Sequence, residues 1–346
     1  MGHETEKQIE ARAQAHGRAV TIRRRHLQPL FNTFDTILAP KLASGLLLAV
    51  SGGPDSRALM ESVAHWRGRS GGHIVVGSID HGLRPQAKDE TCLVAARARI
   101  LGFDSDVGHV TGSRKDEASL RQRRYRSLFQ MAAAHQCQYV VTAHHADDQA
   151  EGFLMDTLGV GGGKGGAAMK SETAFEAGNL LRPFLTLHKS TLDAALTAIG
   201  CSNIVIDEAD RRSQNKRSLV RNHLMHAIDA VQPGARARFR VKSMRRAEDE
   251  DALLTWAETI PVIPVEHGIL IEDVHDIPTA VLRRLLMHQC QRLSSQDLRR
   301  GAKTLDILLS QVGTPHLERS YDLAGLRLFL SAQTIRITVH KEEKRR

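Results

Sequence analysis

The apolar run Gly45-Leu46-Leu47-Leu48-Ala49-Val50 stops at Ser51-Gly52-Gly53-Pro54-Asp55-Ser56, and this junction constrains the fold more than any other feature of the chain. A short continuous apolar run reads as a strand buried on both faces. Two glycines then let the backbone turn tightly and approach a ligand. Pro54 suits the first turn of a helix, where its missing N–H costs nothing. Ala58, Leu59, Val63 and Trp66 follow at close to helical spacing. The free N–H groups at the start of such a helix face an anion. Ser51 and Ser56 can add hydroxyl donors to phosphate oxygens. No Gly-Lys-Ser/Thr follows, and the pattern is not Gly-x-Gly-x-x-Gly. The alternative is a plain turn in which Asp55 only supports the helix start.

The same alternation continues downstream. Strands are expected at Ile74 to Ile79, Tyr139 to Ala143 and Ile204 to Ile206, with a helix from about Gln86 to Leu101 whose Leu93, Val94 and Ile100 can face a sheet. Strands separated by such helices imply right-handed crossovers and a Rossmann-like, doubly wound parallel α/β sheet. Ligands bind beyond the carboxyl ends of strands in such sheets. The three most polar stretches, from Ser51, Asp80 and His144, all begin there. Gly159-Val160-Gly161-Gly162-Gly163-Lys164-Gly165-Gly166 reads as a mobile loop. Long helical stretches follow, at Arg245 to Thr259 and Pro278 to Arg292, and alternating apolar residues between Leu326 and Val339 predict a terminal β-hairpin. The expected division is a polar N-terminal extension over 1–40, a nucleotide-binding domain over 41–215, and a smaller, mainly helical C-terminal region over 216–346.

Charge narrows the partner. The formal net charge of the 346 residues is +9, which favours a polyanion such as nucleic acid over a merely basic enzyme. Aromatics at 4% argue against rows of stacked bases. The four cysteines, Cys92, Cys137, Cys201 and Cys290, form no Cys-x-x-Cys pair, and inert thiols in a reducing compartment fit best. No apolar run approaches the ~18 residues of a membrane span, and Met1 to Ala19 lack the apolar core of a secretory signal. The expected location is the cytoplasm.

The hexapeptide resembles the SGGxDS signature of the PP-loop ATP pyrophosphatases, which split ATP between the α and β phosphates and adenylate a substrate oxygen. Asp80-His81-Gly82-Leu83-Arg84 resembles the DHGLR segment of tRNA(Ile)-lysidine synthetases. Leu120-Arg121-Gln122-Arg123-Arg124-Tyr125 is similar to that family's ARxxRY segment. Thr142-Ala143-His144-His145-Ala146-Asp147-Asp148-Gln149-Ala150-Glu151 is similar to its TAHHxDDQxET segment, and Leu181-Arg182-Pro183-Phe184-Leu185 to its IRPLL segment. Asp207-Glu208 with Arg221-Asn222 resembles its D(E/P)SN…RN region. Departures are Gly152 for the usual Thr, Gly159 for the usual Arg, and Ala209-Asp210 for Ser-Asn.

The resemblance implies a PP-loop type fold with ATP and Mg²⁺ as cofactors. It implies ligation of free L-lysine to the 2-carbon of the wobble cytidine of isoleucine tRNA with a CAU anticodon, with release of AMP and pyrophosphate. It leaves a homodimer open. Carried onto this sequence, Ser51, Gly52, Gly53, Pro54, Asp55, Ser56, Asp80 and His81 bind ATP. Asp55, Arg121 and Asp147 are catalytic. Arg124, His144, Asp148, Glu151 and Arg182 bind substrate, and Asp55 and Asp147 hold the metal. The chemistry asks for these types: a poor leaving oxygen needs adenylation, a cation and positive charge for the developing anion. Bland readings stay open. Asp80-His81 can be a strand-end turn, and His144 and His145 structural hydrogen-bonders. Asp147 and Asp148 diverge, so at most one is central. The arginines around 121–126 can face RNA. Arg236, Arg238, Arg240, Lys242, Arg245 and Arg246 form a basic span that suits phosphate contacts. A thiolase of the same superfamily, a metal-dependent phosphodiesterase and an RNA-binding paralogue with a relict nucleotide site are the competing functions.

Overall fold

The computed structural model describes residues 24–67, 72–80, 86–109, 117–160, 167–175, 177–201, 216–294 and 302–339. Six strands, β1 (Leu46–Ala49), β2 (Ile74–Asp80), β3 (Asp104–His109), β4 (Tyr139–Val141), β5 (Glu172–Phe175) and β6 (Gly178–Leu181), form one sheet in the order β3-β2-β1-β4-β6-β5. All pairs are parallel except β5 with β6. Leu47 lies in register with Val75 on one side and Val140 on the other.

Side chains alternate across this sheet. Leu46, Leu48, Val50 and Val76 enter a core with Leu30, Phe34, Leu59, Trp66 and Leu192. Leu47, Val75, Val140 and Leu180 enter a second core with Tyr125, Leu128 and Phe129. Burial on both faces explains why β1 reads as an unbroken apolar run. Each fully buried leucine contributes about 1.5–3 kcal/mol. The helices covering these faces are α1 (Arg24–Ile37), α2 (Pro54–Arg67), α3 (Gln86–Ile100), α4 (Glu117–Ala134) and α6 (Lys189–Ile199), while α5 (Ala146–Thr157) packs with Val220 and Met225 further along the chain. The chain runs outward from β1 through β2 to β3, then returns to place β4 on the other side of β1. The crevice between the carboxyl ends of β1 and β4 is therefore the switch point where such sheets bind ligands.

One expectation changes and one strand adds to those expected. Residues 1–40 were read as a polar extension, but α1 lies within them and buries Leu27, Leu30, Phe31 and Phe34. Their i, i+3, i+4, i+7 spacing makes an apolar stripe that the basic residues around it conceal. β3 was not expected because it is a polar edge strand whose sequence, DSDVGH, carries little apolar signal. The strand expected at Ile204 to Ile206 lies outside the described residues, as do 161–166 of the glycine run and Asp207 to Asp210.

Gly45 turns the chain into β1 at φ 73°, ψ 137°. A Cβ there would stand 2.8 Å from the backbone oxygen of Gln136. Gly45→Ala is expected to destabilise the fold by at least about 1–3 kcal/mol, read as a lowered midpoint in urea unfolding.

After α6, α7 (Lys216–Leu219), a π-helical turn (Val220–Leu224), α8 (Met225–Val231) and α9 (Ala235–Thr259) follow. Two compact units divide the chain between Ser243 and Met244, later than the change of pattern near residue 215. In the second unit β7 (Ile263–Val265), β8 (Gly268–Ile271), β9 (Arg319–Leu323), β10 (Leu326–Leu330) and β11 (Ile335–Val339) make an antiparallel sheet in the order β7-β8-β11-β10-β9. The terminal hairpin is present as β10–β11, with Leu328 opposite Ile337, but it is the centre of five strands. Its inward leucines and isoleucines pack with Leu282, Leu286 and Leu308 of α10 (Thr279–Leu293) and α11 (Ala302–Leu309).

Candidate active site

The loop after β1 is closed by its own serines. Ser56 Oγ donates to the Gly53 carbonyl at 2.9 Å and accepts the Ser51 N–H at 3.2 Å. The two hydroxyl oxygens are 3.2 Å apart. Gly52 has φ 87°, a conformation that glycine adopts without strain. The turn leaves the first N–H groups of α2 at the end of β1, at the switch point.

Asp55, in the first turn of α2, meets residues from two other elements there. Its Oδ1 accepts the Lys189 ammonium at 2.7 Å, and its Oδ2 is 3.6 Å from His145 Nε2. Asp147 Oδ2 is 3.7 Å from the other ring nitrogen of His145 and accepts the Lys189 backbone N–H at 2.8 Å. The two carboxylates expected to act together thus share both a lysine and a histidine. Burial alone would raise the Asp55 pKa, but His145 and Lys189 hold it well below the usual carboxylate range. Burial pushes the His145 pKa down, yet Asp55, Asp148 and Asp147 outweigh it and leave it raised. His145 is 2% exposed, and neither ring nitrogen makes a hydrogen bond within 3.5 Å.

Lys189 escaped the sequence reading. It lies shortly after the Arg182-Pro183 segment, at the first position of α6. A cation there opposes the helix dipole. That mismatch is the signal that its charge serves something outside its own helix, here Asp55.

Asp148 and Glu151, expected to bind substrate, are occupied by arginines. Arg217 and Arg221 donate to Asp148 Oδ1 at 2.9 and 3.1 Å. Arg221 reaches both oxygens of Glu151, at 2.8 and 3.0 Å, and Arg217 reaches one at 3.4 Å. Asp148 Oδ2 accepts the His145 N–H at 2.9 Å. With both carboxylates buried and engaged, the geometry supports an anchoring role: they fix α5 to the segment bearing the π-helical turn. Arg182 is likewise buried, donating to the Lys170 carbonyl at 2.7 Å and the Thr173 hydroxyl at 2.8 Å. It ties down the chain entering β5 with no donor bond left over for a ligand from that nitrogen.

Arg121 and Arg124 flank the Tyr125 ring at 5.7 and 5.6 Å. His144 accepts from or donates to Thr142 at 2.9 Å. Burial, together with Arg182, Arg217 and Arg121, lowers its pKa against the pull of Asp148. The neighbouring histidines are thus pushed in opposite directions, His144 down and His145 up. Asp80 ends β2 with His109 3.5 Å away, and His81 lies outside the described residues.

The family model described as the PP-loop domain matches residues 25–228. The tRNA(Ile)-lysidine synthase of Bradyrhizobium sp. (strain BTAi1 / ATCC BAA-1182) is 41% identical over 172 residues, 48% of each chain. That of Methylobacterium sp. (strain 4-46) is 33% identical over 317 residues, 84% of this chain and 90% of the relative. The match thus spans about half the length of the first relative and most of the second. Among solved structures, the U34-tRNA thiolase NcsA from Methanococcus maripaludis superposes with a TM-score of 0.52 at 13% identity, covering 64% of this chain and 78% of that one. At that identity the likeness concerns the fold alone. The PP-loop domain match over residues 25–228, which includes the loop at the switch point, and a relative 33% identical over most of both chains place this chain in the PP-loop proteins, within the tRNA(Ile)-lysidine synthase family.

Proposed function

We propose that the chain uses ATP to adenylate the wobble cytidine of isoleucine tRNA and then joins free L-lysine to its 2-carbon, releasing AMP and pyrophosphate. The observation that carries this reading is the convergence of Asp55, Asp147 and Lys189 beside the Ser51–Ser56 loop. In it, the N–H groups of α2 with the Ser51 and Ser56 hydroxyls hold the phosphates. Asp55 and Asp147 supply hard oxygen donors of the type Mg²⁺ takes, completed by phosphate and water. When bound, Mg²⁺ would neutralise charge on the triphosphate. Lys189 orients Asp55 and adds positive charge where pyrophosphate leaves. Arg121 and Arg124, on either side of Tyr125, are suited to the activated base. Exposed basic residues after 216, such as Arg238 and Lys242, contact tRNA phosphates, which position without specifying.

Incubation with ATP, lysine and bulk tRNA is expected to release pyrophosphate and to make labelled lysine tRNA-bound. No incorporation into any tRNA would overturn the proposal. The phosphodiesterase reading instead predicts a tightly bound transition metal in the purified protein, so elemental analysis that finds none while ATP binding is intact would reject it.

A further inference from the structure

The first turns of α9 carry two different faces. Arg236, Phe239 and Ser243, spaced i, i+3, i+7, share one. Arg236 Nε donates to Asp229 at 2.5 Å, and its Nη1 is 3.8 Å from Asp147 Oδ1. The Phe239 ring stacks on Phe153 of α5, with centroids 5.7 Å apart and planes at 27°. The Ser243 carbonyl accepts the Ala168 N–H at 3.0 Å, and the next residue, Met169, is held by the Gln149 amide of α5 at 2.6 Å. This face grips α5 at its start and middle, and the segment leading into β5. Arg238 and Lys242, spaced i, i+4, are exposed on the other face. Residues 235–243 contain four basic side chains and no acidic one.

We infer that this stretch couples RNA docking to the ATP site: RNA phosphates bind Arg238 and Lys242, and Arg236 passes that occupancy to Asp147. The inference rests on the tRNA-modifying reading above. Its physical basis is the length of the Arg236–Asp147 pair, at the outer edge of an ion pair. A small shift of α9 closes or breaks it, and Asp147 is at the same time bonded to the Lys189 N–H beside Asp55. RNA therefore has a differential contact through which to bias the site. Arg236 acts through Asp147 and is a positioning residue.

The test measures tRNA affinity, and pyrophosphate release with and without bulk tRNA, for the full chain. Arg236→Gln is expected to keep tRNA affinity within about twofold while the tRNA-dependent kcat falls about tenfold, with partial recovery in Arg236→Lys. Arg238→Glu combined with Lys242→Glu is expected to weaken tRNA binding by about tenfold or more and to flatten the log K against log salt slope by about two. The coupling is overturned if Arg236→Gln lowers pyrophosphate release equally with and without tRNA, or changes only tRNA affinity. It is also overturned if the Arg238/Lys242 surface variant, which needs no repacking, binds tRNA with unchanged affinity and slope. Wild-type pyrophosphate release with tRNA but no lysine incorporation would instead sink the lysidine reading alone.

Discussion

Asp55→Asn is expected to lower tRNA-dependent pyrophosphate release by two to three orders of magnitude, the order seen when one preorganised charge-stabilising group is lost. The carboxylate holds the Lys189 ammonium at 2.7 Å and faces the buried His145 ring at 3.6 Å. The amide keeps the shape but removes the charge, so Lys189 loses its counter-ion, His145 loses one of its carboxylate neighbours, and the proposed magnesium site loses a donor. The N–H groups of α2 and the hydroxyls of Ser51 and Ser56 are untouched. ATP affinity should therefore fall far less than kcat, which separates this outcome from collapse of the loop. Activity within tenfold of wild type, with ATP binding intact, would reduce Asp55 to a helix-start residue.

Glu61→Gln is expected to cost about 3–5 kcal/mol of stability, as removal of one partner from a buried ion pair does. Glu61 is 0% exposed and takes two bonds from Arg97, at 2.6 and 2.8 Å. Arg57, one turn earlier on α2, is buried beside them with one nitrogen unpartnered. Burial pulls its pKa down to about 10 against the support of Glu61. Neutralising Glu61 strands two guanidiniums. Urea unfolding should show a large drop in midpoint, and adding Arg97→Met should restore part of it by removing one stranded charge. A loss under about 1 kcal/mol would mean that the guanidiniums reach water once the carboxylate is gone.

The strand–loop–helix at Leu46 to Arg67 was legible because its signals are local: an apolar run, two glycines and a proline at the first helical position. The helices over Gln86–Ile100, Ala235–Thr259 and Thr279–Leu293 were legible through periodicity, at least in their later parts. α1 was obscured by the basic residues just before its apolar stripe and by Pro29 within it, and β3 by being an edge strand that need not be apolar. The antiparallel sheet of the second unit showed only its hairpin, because β7 is three residues long, β9 is largely polar, and β8 joins the sheet through β11, far along the chain.

Sequence by itself determined that a glycine turn follows a central strand and leads into a helix, and it grouped Asp55, Asp147 and their motif neighbours as candidates for one chemistry. Only the tertiary structure decided which of those groups are free to act. Asp148 and Glu151 belong to the same motif as Asp147, yet Arg217 and Arg221, some 70 residues away, occupy them. Lys189 reaches Asp55 across 134 residues because α6, which it begins, packs against α2, which carries Asp55. Charge pairing of this kind depends on distance in space, and a motif records only order along the chain.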